Sequence, residues 1–375
     1  MTMKFICTRE NLLLALDGVG GAAGKQVNLP ILLNILIQAD DAKVSFASTN
    51  LEIAIRAVVR AKVEEQGSFT VPAKTLADYA HLLSDEQVEI SVSGNELQIT
   101  CGNSSTKMKG APAADFPVLP DVEDGNAYGI LVEPFREALA KTVLAAAKND
   151  IRPELSGVYF GFFTERHPGL ALAATDSYRL AEKKLSIAQG EAMHVCIVPA
   201  RTVYEMARLL GFDKGEAGES QVRLSFGNSQ LLLRYGNFEL TSRLIDGTYP
   251  DYAQIIPSSF KTTATFPGDV MANRIKAASL FSTTGVNAVS FDLNASEQNV
   301  GVSSVSTQKG EHSSSVDAEV TGEENSILLN HRYVLDGLAH MNGDVELSVN
   351  SADSPCLLKE KGKDDYVYIV MPIRQ

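Results

Sequence analysis

The chain has 375 residues, 45% hydrophobic and 21% charged, with a formal net charge of −13. That length and balance suit two or three ordinary globular domains. No apolar run reaches bilayer-spanning length, Arg9 and Glu10 interrupt what would be an export signal, and the scattered Cys7, Cys101, Cys196 and Cys356 form no CxxC pair, so a membrane anchor, secretion, a disulfide frame and a zinc site are all excluded and the expected location is cytoplasmic.

In chain order, apolar spacing predicts a first helix over 8–18, with Leu12, Leu13 and Leu16 inward. Gly18 to Lys25 (GVGGAAGK) looks like a phosphate cradle, but Val19 and Gln26 break the P-loop pattern and the segment follows a helix, so it reads as a flexible loop. Strands are predicted at Leu32–Gln38, Lys43–Ser48 and Glu52–Lys62, then a helix over 73–83 and a hairpin from Val88. Asp121 to Asn126 (DVEDGN) is an acidic turn-forming linker. A helix over 133–148, strands Gly157–Thr164 and Leu170–Ala174, a helix over 200–210 and a hairpin from Val222 follow. Helices over 269–281 and 331–341 and a hairpin from Val345 complete the chain, with the Ser-rich stretch Ser303 to Ser315 expected as a mobile hairpin tip.

Three of these segments are related. VPAKTLADYAHLL from Val71, VPARTVYEMARLL from Val198 and LNHRYVLDGLAHM from Leu329 each carry a basic residue near the helix start, and an alternating hairpin follows each. Each copy is also expected to close on an aromatic or Met before proline: Phe116-Pro117, Tyr249-Pro250 and Met371-Pro372. The same order three times indicates a threefold repeat of whole domains, expected at 1–124, 128–257 and 259–375. Helix, strands, helix, strands in each is an α+β pattern with antiparallel sheet and helices on one face.

The acidity alone argues against nucleic acid. Its distribution is more informative, because the six predicted helices hold ten Lys/Arg against eight Asp/Glu while the rest of the chain is strongly acidic. Chance scatter and a surface class kept near neutral both fit that count. Catalytic patterns are thin: Ser104 to Lys107 matches SxxK without companions, and none of the six histidines sits in an HExxH. Asp176 and Arg179 read either as an acid with an anion clamp or as an Asx-type turn, the latter echoed by Asn50 in the first repeat.

The repeat, together with LPILLNIL, ATDSYRLA, LIDGTYPDY, NHRYVLDGL and YIVMPIRQ, resembles the bacterial DNA polymerase III beta subunit, the sliding clamp, over essentially the whole chain. The resemblance implies a head-to-tail homodimeric ring of three-domain subunits with helices lining a central hole. Duplex DNA, bound without sequence preference, would pass through that hole. It implies a non-catalytic processivity subunit with no cofactor and no metal. Its partners would be the polymerase III alpha subunit, the clamp loader, other polymerases and repair proteins, docked by short peptides. An 11-residue helix, about 16 Å long, faces about nine or ten phosphates, so a surplus of two charges over six helices lets DNA slide.

Carried over by motif, the peptide groove comprises Leu155, Thr175, Tyr178, Arg179, Leu180, Pro250, Ile255, Ala352, Ser354, Val370, Met371, Pro372, Ile373 and Arg374, with Arg179 and Arg374 free to bond peptide carbonyls or carboxylates. The resemblance places Gln26, Lys74, Lys148, Asn149 and Arg201 toward DNA, and Met108, within Ser105–Lys109, against Leu280 and Phe281 at the dimer contact. The chain departs from the family at Ser177-Tyr178, where Gly-His is usual, at Glu154, where Tyr is usual, and at Ala253-Gln254, where basic residues are usual. A three-repeat scaffold or ligand-binding protein that encircles no DNA is the alternative.

Overall fold

The computed structural model describes residues 2–24, 29–84, 86–120, 125–149, 151–212, 220–227, 229–283 and 285–374. Six helices are described: α1 (Arg9–Gly20), α2 (Ala73–His81), α3 (Val132–Val143), α4 (Ala200–Leu209), α5 (Gly268–Ser279) and α6 (His331–Leu338). The chain condenses into two compact units. Unit 1 comprises Met1–Arg136, Ile187–Ala192 and Arg201–Leu244, and unit 2 comprises Glu137–Ser186, Met193–Ala200 and Ile245–Gln375.

Three repeats become two units because the sheets cross repeat boundaries. In unit 1 a nine-stranded antiparallel sheet runs from the first repeat into the second half of the central one. The seam joins Ile53–Arg60 to Phe238–Arg243, in the register Ala57 to Phe238, Ile55 to Leu240 and Ile53 to Ser242. In unit 2 the first half of the central repeat joins the third, Arg179–Leu185 pairing with Tyr366–Val370 so that Arg179 faces Val370 and Ala181 faces Tyr368. Each unit also has a smaller antiparallel sheet, of five strands in unit 1 and four in unit 2. Main-chain hydrogen bonds across each seam hold the halves together as firmly as any strand pair within a repeat.

Helices pack on one face of these sheets, and the approach is close. A Cβ on Gly18 of α1 would lie 2.1 Å from the Phe238 ring, so only glycine admits the helix there. At the end of α1, Arg208 donates Nη1 to the Asp17 carbonyl at 2.7 Å and Nη2 to the Gly18 carbonyl at 2.6 Å. A guanidinium at a helix C-terminus satisfies orphan carbonyls and opposes the helix dipole.

Several expectations change. The GVG of the supposed loop continues α1 to Gly20, with Val19 buried, and Lys25 lies outside the described residues. A strand, Thr2–Thr8, precedes α1 and buries Met3, Phe5 and Cys7. Pro30–Leu33 is a 3-10 turn, so the next strand starts at Asn34. The helix over 133–148 stops at Val143 despite the alanines that follow, because the Ala147 N–H is drawn to the Leu155 carbonyl at 2.9 Å. Ser303 to Ser315 does form the end of a hairpin, between Asn299–Ser306 and Gly310–Asp317, but most of it is paired strand and the turn is short. Met371 directly follows a strand, whereas Phe116 and Tyr249 lie several residues beyond theirs, so Met371-Pro372 is not their structural counterpart.

The core of unit 2 contains a buried ion pair. Lys141 Nζ lies 3.0 Å from Glu360 Oε1 and 2.8 Å from Glu137, with side-chain exposures of 6% for Lys141 and 4% for Glu360. Burial alone would raise the Glu360 pKa, but hydrogen bonds from Lys363 and Lys141 outweigh it and the net shift is downward. Changing Lys141 to Met should destabilise the fold by less than the about 3–5 kcal/mol typical of a broken buried pair, because Glu360 loses one of its two cations and keeps Lys363. The depressed carboxylate stabilises the fold fully above its unfolded pKa, and that contribution is lost as pH falls through the folded pKa. Urea melts of wild type and Lys141→Met at neutral and acid pH check this: the gap between them should narrow toward acid.

Candidate functional site

The stretch Thr175 to Arg179 forms a tight turn. Asp176 Oδ1 accepts from the Tyr178 and Arg179 N–H groups at 3.0 Å each, Thr175 Oγ1 accepts from Ser177 N–H at 3.1 Å, and Thr175 Oγ1 donates to the Arg179 carbonyl at 2.6 Å. Ser177 is driven to φ 75, the left-handed region that favours glycine. The first repeat builds the same turn: Asn50 Oδ1 accepts from Glu52 and Ile53, Thr49 caps Leu51, and Leu51 also has φ 75. The Asx-turn reading of Asp176 therefore holds.

This turn holds Tyr178 out between two cavities of unit 2. One, of about 480 Å³, is lined by Met371, Pro372, Ile373 and Arg374 with Val286. The other, of about 520 Å³, is lined by Leu155, Ile151, Lys148, Asn149 and Arg332 among others. Tyr178, Ser177, Asn330 and Tyr333 line both. The last strand ends at Val370, just before Pro372, which has no N–H to offer a ladder. Met371 N–H still bonds the Tyr178 carbonyl, and Ile373 N–H the Leu328 carbonyl, both at 2.8 Å. The C-terminal segment is thus fixed by its backbone while its side chains face the cavity.

Arg179 lines the second of these cavities, as expected, but its guanidinium is already engaged. Its side chain is only 5% exposed, Nε donates to Asp176 at 3.0 Å, Nη1 donates to Asp336 at 2.5 Å, and the guanidinium lies 4.7 Å from the Tyr333 ring centre. Burial pulls its pKa down, but Tyr368, Asp336 and Asp176 outweigh that and the net shift is upward. Arg179 ties the turn to α6 rather than waiting for a peptide carboxylate, and Arg374 is the exposed cation at the rim.

The remaining expected groove residues divide by depth. Thr175, Leu180 and Val370 are buried behind the cavities, and Leu155 and Leu180 share a core cluster with Tyr249, Tyr252 and Ile369, against which Ile255 packs. Pro250, Ala352 and Ser354 do not line either cavity. Residue reasoning missed Tyr333, Asn330 and Val286, which reach the site from α6 and the segment before the Ala288–Asn294 strand.

Lys74 and Arg201 each occupy the second position of α2 and α4, and Arg332 the same position of α6; all three are exposed. A cation there faces the positive end of the helix dipole, so helix stability does not explain it. Lys148 and Asn149 are exposed beyond α3, and Gln26 lies outside the described residues. Met108 is buried, at 8% exposure, while Leu280 is 68% exposed and Phe281 stacks on His312 at 5.7 Å. All four cysteines are buried and outside any disulfide, with burial pushing Cys7 and Cys356 up to about 12. No metal-capable cluster occurs among the described residues, and no described helix is long and apolar enough to cross a membrane.

Profiles of the DNA polymerase III beta subunit match along the whole length, the N-terminal domain at residues 3–120, the central domain at 130–251 and the C-terminal domain at 253–374. The chain belongs to the DNA polymerase III beta subunit family. It is 29% identical over 375 residues to the beta sliding clamp of Escherichia coli K12, covering 99% of this chain and 100% of that one, and 30% identical, at the same coverage, to that of Proteus mirabilis. The fold matches the DNA polymerase sliding clamp from Bacillus subtilis with TM-score 0.92 at 26% identity, and the DNA polymerase III beta subunit from Pseudomonas aeruginosa with TM-score 0.91 at 27%, each covering both chains completely. A Pseudomonas aeruginosa clamp of equal similarity has been solved bound to griselimycin. The three repeats are clamp domains and the function is that of a DNA sliding clamp; the scaffold alternative is not favoured.

Proposed function

We propose that two copies of this chain close head to tail into a ring around duplex DNA. The polymerase III alpha subunit, clamp loader, other polymerases and repair proteins dock by short peptides at the Tyr178–Met371 groove. The observation that carries the DNA reading is the cation at the second position of the second helix in every repeat, where the dipole disfavours it. The clamp holds by topology, needs no cofactor or catalytic group, and works in the cytoplasm with the replication machinery.

The open sheet edges support closure. Ser104–Lys109 ends the five-stranded sheet and Gly310–Asp317 ends the four-stranded one, each with unpaired main-chain groups. Lys107 and Lys109 are exposed on the first, and Glu311 and Asp317 on the second, where Phe281 and His312 stack. Pairing these edges between two copies joins strand to strand and charge to countercharge. Light scattering should give about twice the 40.3 kDa chain mass at micromolar concentration. Changing Lys107 and Lys109 together to Glu should shift it toward one chain. A wild-type protein that stays at one chain mass is incompatible with this closure.

A further inference from the structure

We infer that Asn342 is a site of spontaneous modification: its side-chain amide is lost to the Gly343 nitrogen, and an isoaspartyl linkage enters the main chain there as the protein ages. Asn342-Gly343 is the one Asn-Gly step in the sequence. It lies between the end of α6 and the strand Asp344–Val349, and both residues are exposed. Neither the Asn342 side chain nor the Gly343 N–H has a hydrogen-bond partner among the described residues. Gly343 has φ 72, which glycine adopts without strain, and it has no Cβ to shield its nitrogen. Other asparagines are held. Asn350 accepts from the Lys261 N–H and donates to the Ser259 carbonyl, both at 2.9 Å. Asn325 Nδ2 donates to Thr262 Oγ1 and to the Asn350 carbonyl at 3.3 Å each, and serine follows both of these asparagines.

The step balances with water as the only co-reactant. The Gly343 nitrogen gives its proton to solvent base and attacks Asn342 Cγ. The N–Cγ bond forms, the Cγ–Nδ2 bond breaks, and the amide nitrogen leaves as ammonia. Water then opens the cyclic imide. Cleavage at Cγ gives aspartate. Cleavage at the Asn342 main-chain carbonyl carbon gives the isoaspartyl form, in which the chain runs through the side-chain methylene and the α-carboxylate is free to accept a methyl group from S-adenosylmethionine. The linkage matters because of what Gly343 holds. Its carbonyl accepts from the Gly268 N–H at 3.0 Å, at the start of α5, and the next residue, Asp344, pairs with Pro267. An extra main-chain carbon just before Gly343 displaces that carbonyl and loosens the start of α5.

The test incubates the full-length protein at mildly alkaline pH beside a free peptide with the sequence of Ala339 to Val345. Both are followed by peptide mapping and by methyl labelling with an isoaspartyl methyltransferase. The Asn342 amide should be lost about tenfold faster or more than those of Asn350 and Asn325, which must first give up their hydrogen bonds. It should be lost as fast in the protein as in the free peptide, because the fold offers it no protection. The label should map to position 342 and be absent there in Asn342→Gln, whose longer side chain would have to close a larger and slower ring. That variant keeps the fold, since the side chain it replaces is exposed and makes no hydrogen bond with any described residue. Hydrogen exchange at the Gly268 N–H should quicken in aged wild type and not in aged Asn342→Gln. An amide that survives in the protein while the free peptide loses it overturns the inference, as does methyl labelling that persists undiminished in Asn342→Gln. Unchanged Gly268 exchange in protein shown to be modified overturns the link to α5.

Discussion

Changing Lys74 and Arg201 together to Glu should shorten the lifetime of the clamp on nicked circular duplex by about tenfold or more at low salt, since each chain loses two phosphate contacts and presents two repelling charges instead. The same variant should melt no lower than wild type. Both side chains are exposed at the second position of a helix, where an acid is favoured over a base by about 0.3–1 kcal/mol. Lost retention with equal or higher melting temperature separates a DNA contact from a folding defect. Lys148 is a poorer choice for this test because it also lines the cavity beside Tyr178. Retention should fall less at high salt, where screening already weakens these contacts. Unchanged retention at low salt would mean that these cations face something other than DNA.

What the sequence showed depended on how local each feature is. The turn at Thr175 to Arg179 was legible because its hydrogen bonds join residues at most four apart, and Asn50 repeats them. The repeat was legible for the same reason, since helix spacing and strand alternation are short-range patterns. The seams were not, because Ile53–Arg60 and Phe238–Arg243 find each other across most of two repeats. Tyr333 and Asn330 escaped notice because they sit in and just before a helix whose pattern reads as packing, and only tertiary structure brings them beside Tyr178. The ion pairs of Arg179 were hidden for a related reason: Asp336, its partner on α6, is 157 residues away. A guanidinium beside an apolar run looks available in a sequence, and is not when a carboxylate from elsewhere has claimed it.

Deleting Met371 to Gln375 should abolish binding of a short peptide with two adjacent apolar anchors while the dimer still forms. Met371, Pro372, Ile373 and Arg374 supply a continuous wall of the 480 Å³ cavity, and their removal leaves Tyr178 and Tyr333 facing water. Each anchor buried against that wall contributes roughly 1.5–3 kcal/mol. Losing both therefore weakens binding by about a hundredfold or more, given tenfold for each 1.4 kcal/mol. The cost to the fold is smaller. The deletion breaks the bonds from Met371 N–H to Tyr178 and from Ile373 N–H to Leu328, at about 1 kcal/mol each. The Tyr366–Val370 strand keeps its pairing with Arg179–Leu185 and with Cys356–Glu360. The edges proposed to close the ring, Ser104–Lys109 and Gly310–Asp317, lie in other sheets and should be unaffected. Fluorescence anisotropy with a labelled peptide, run beside light scattering on the same sample, reads both quantities at once. A truncated dimer that binds the peptide as tightly as the full chain would place the partner groove elsewhere.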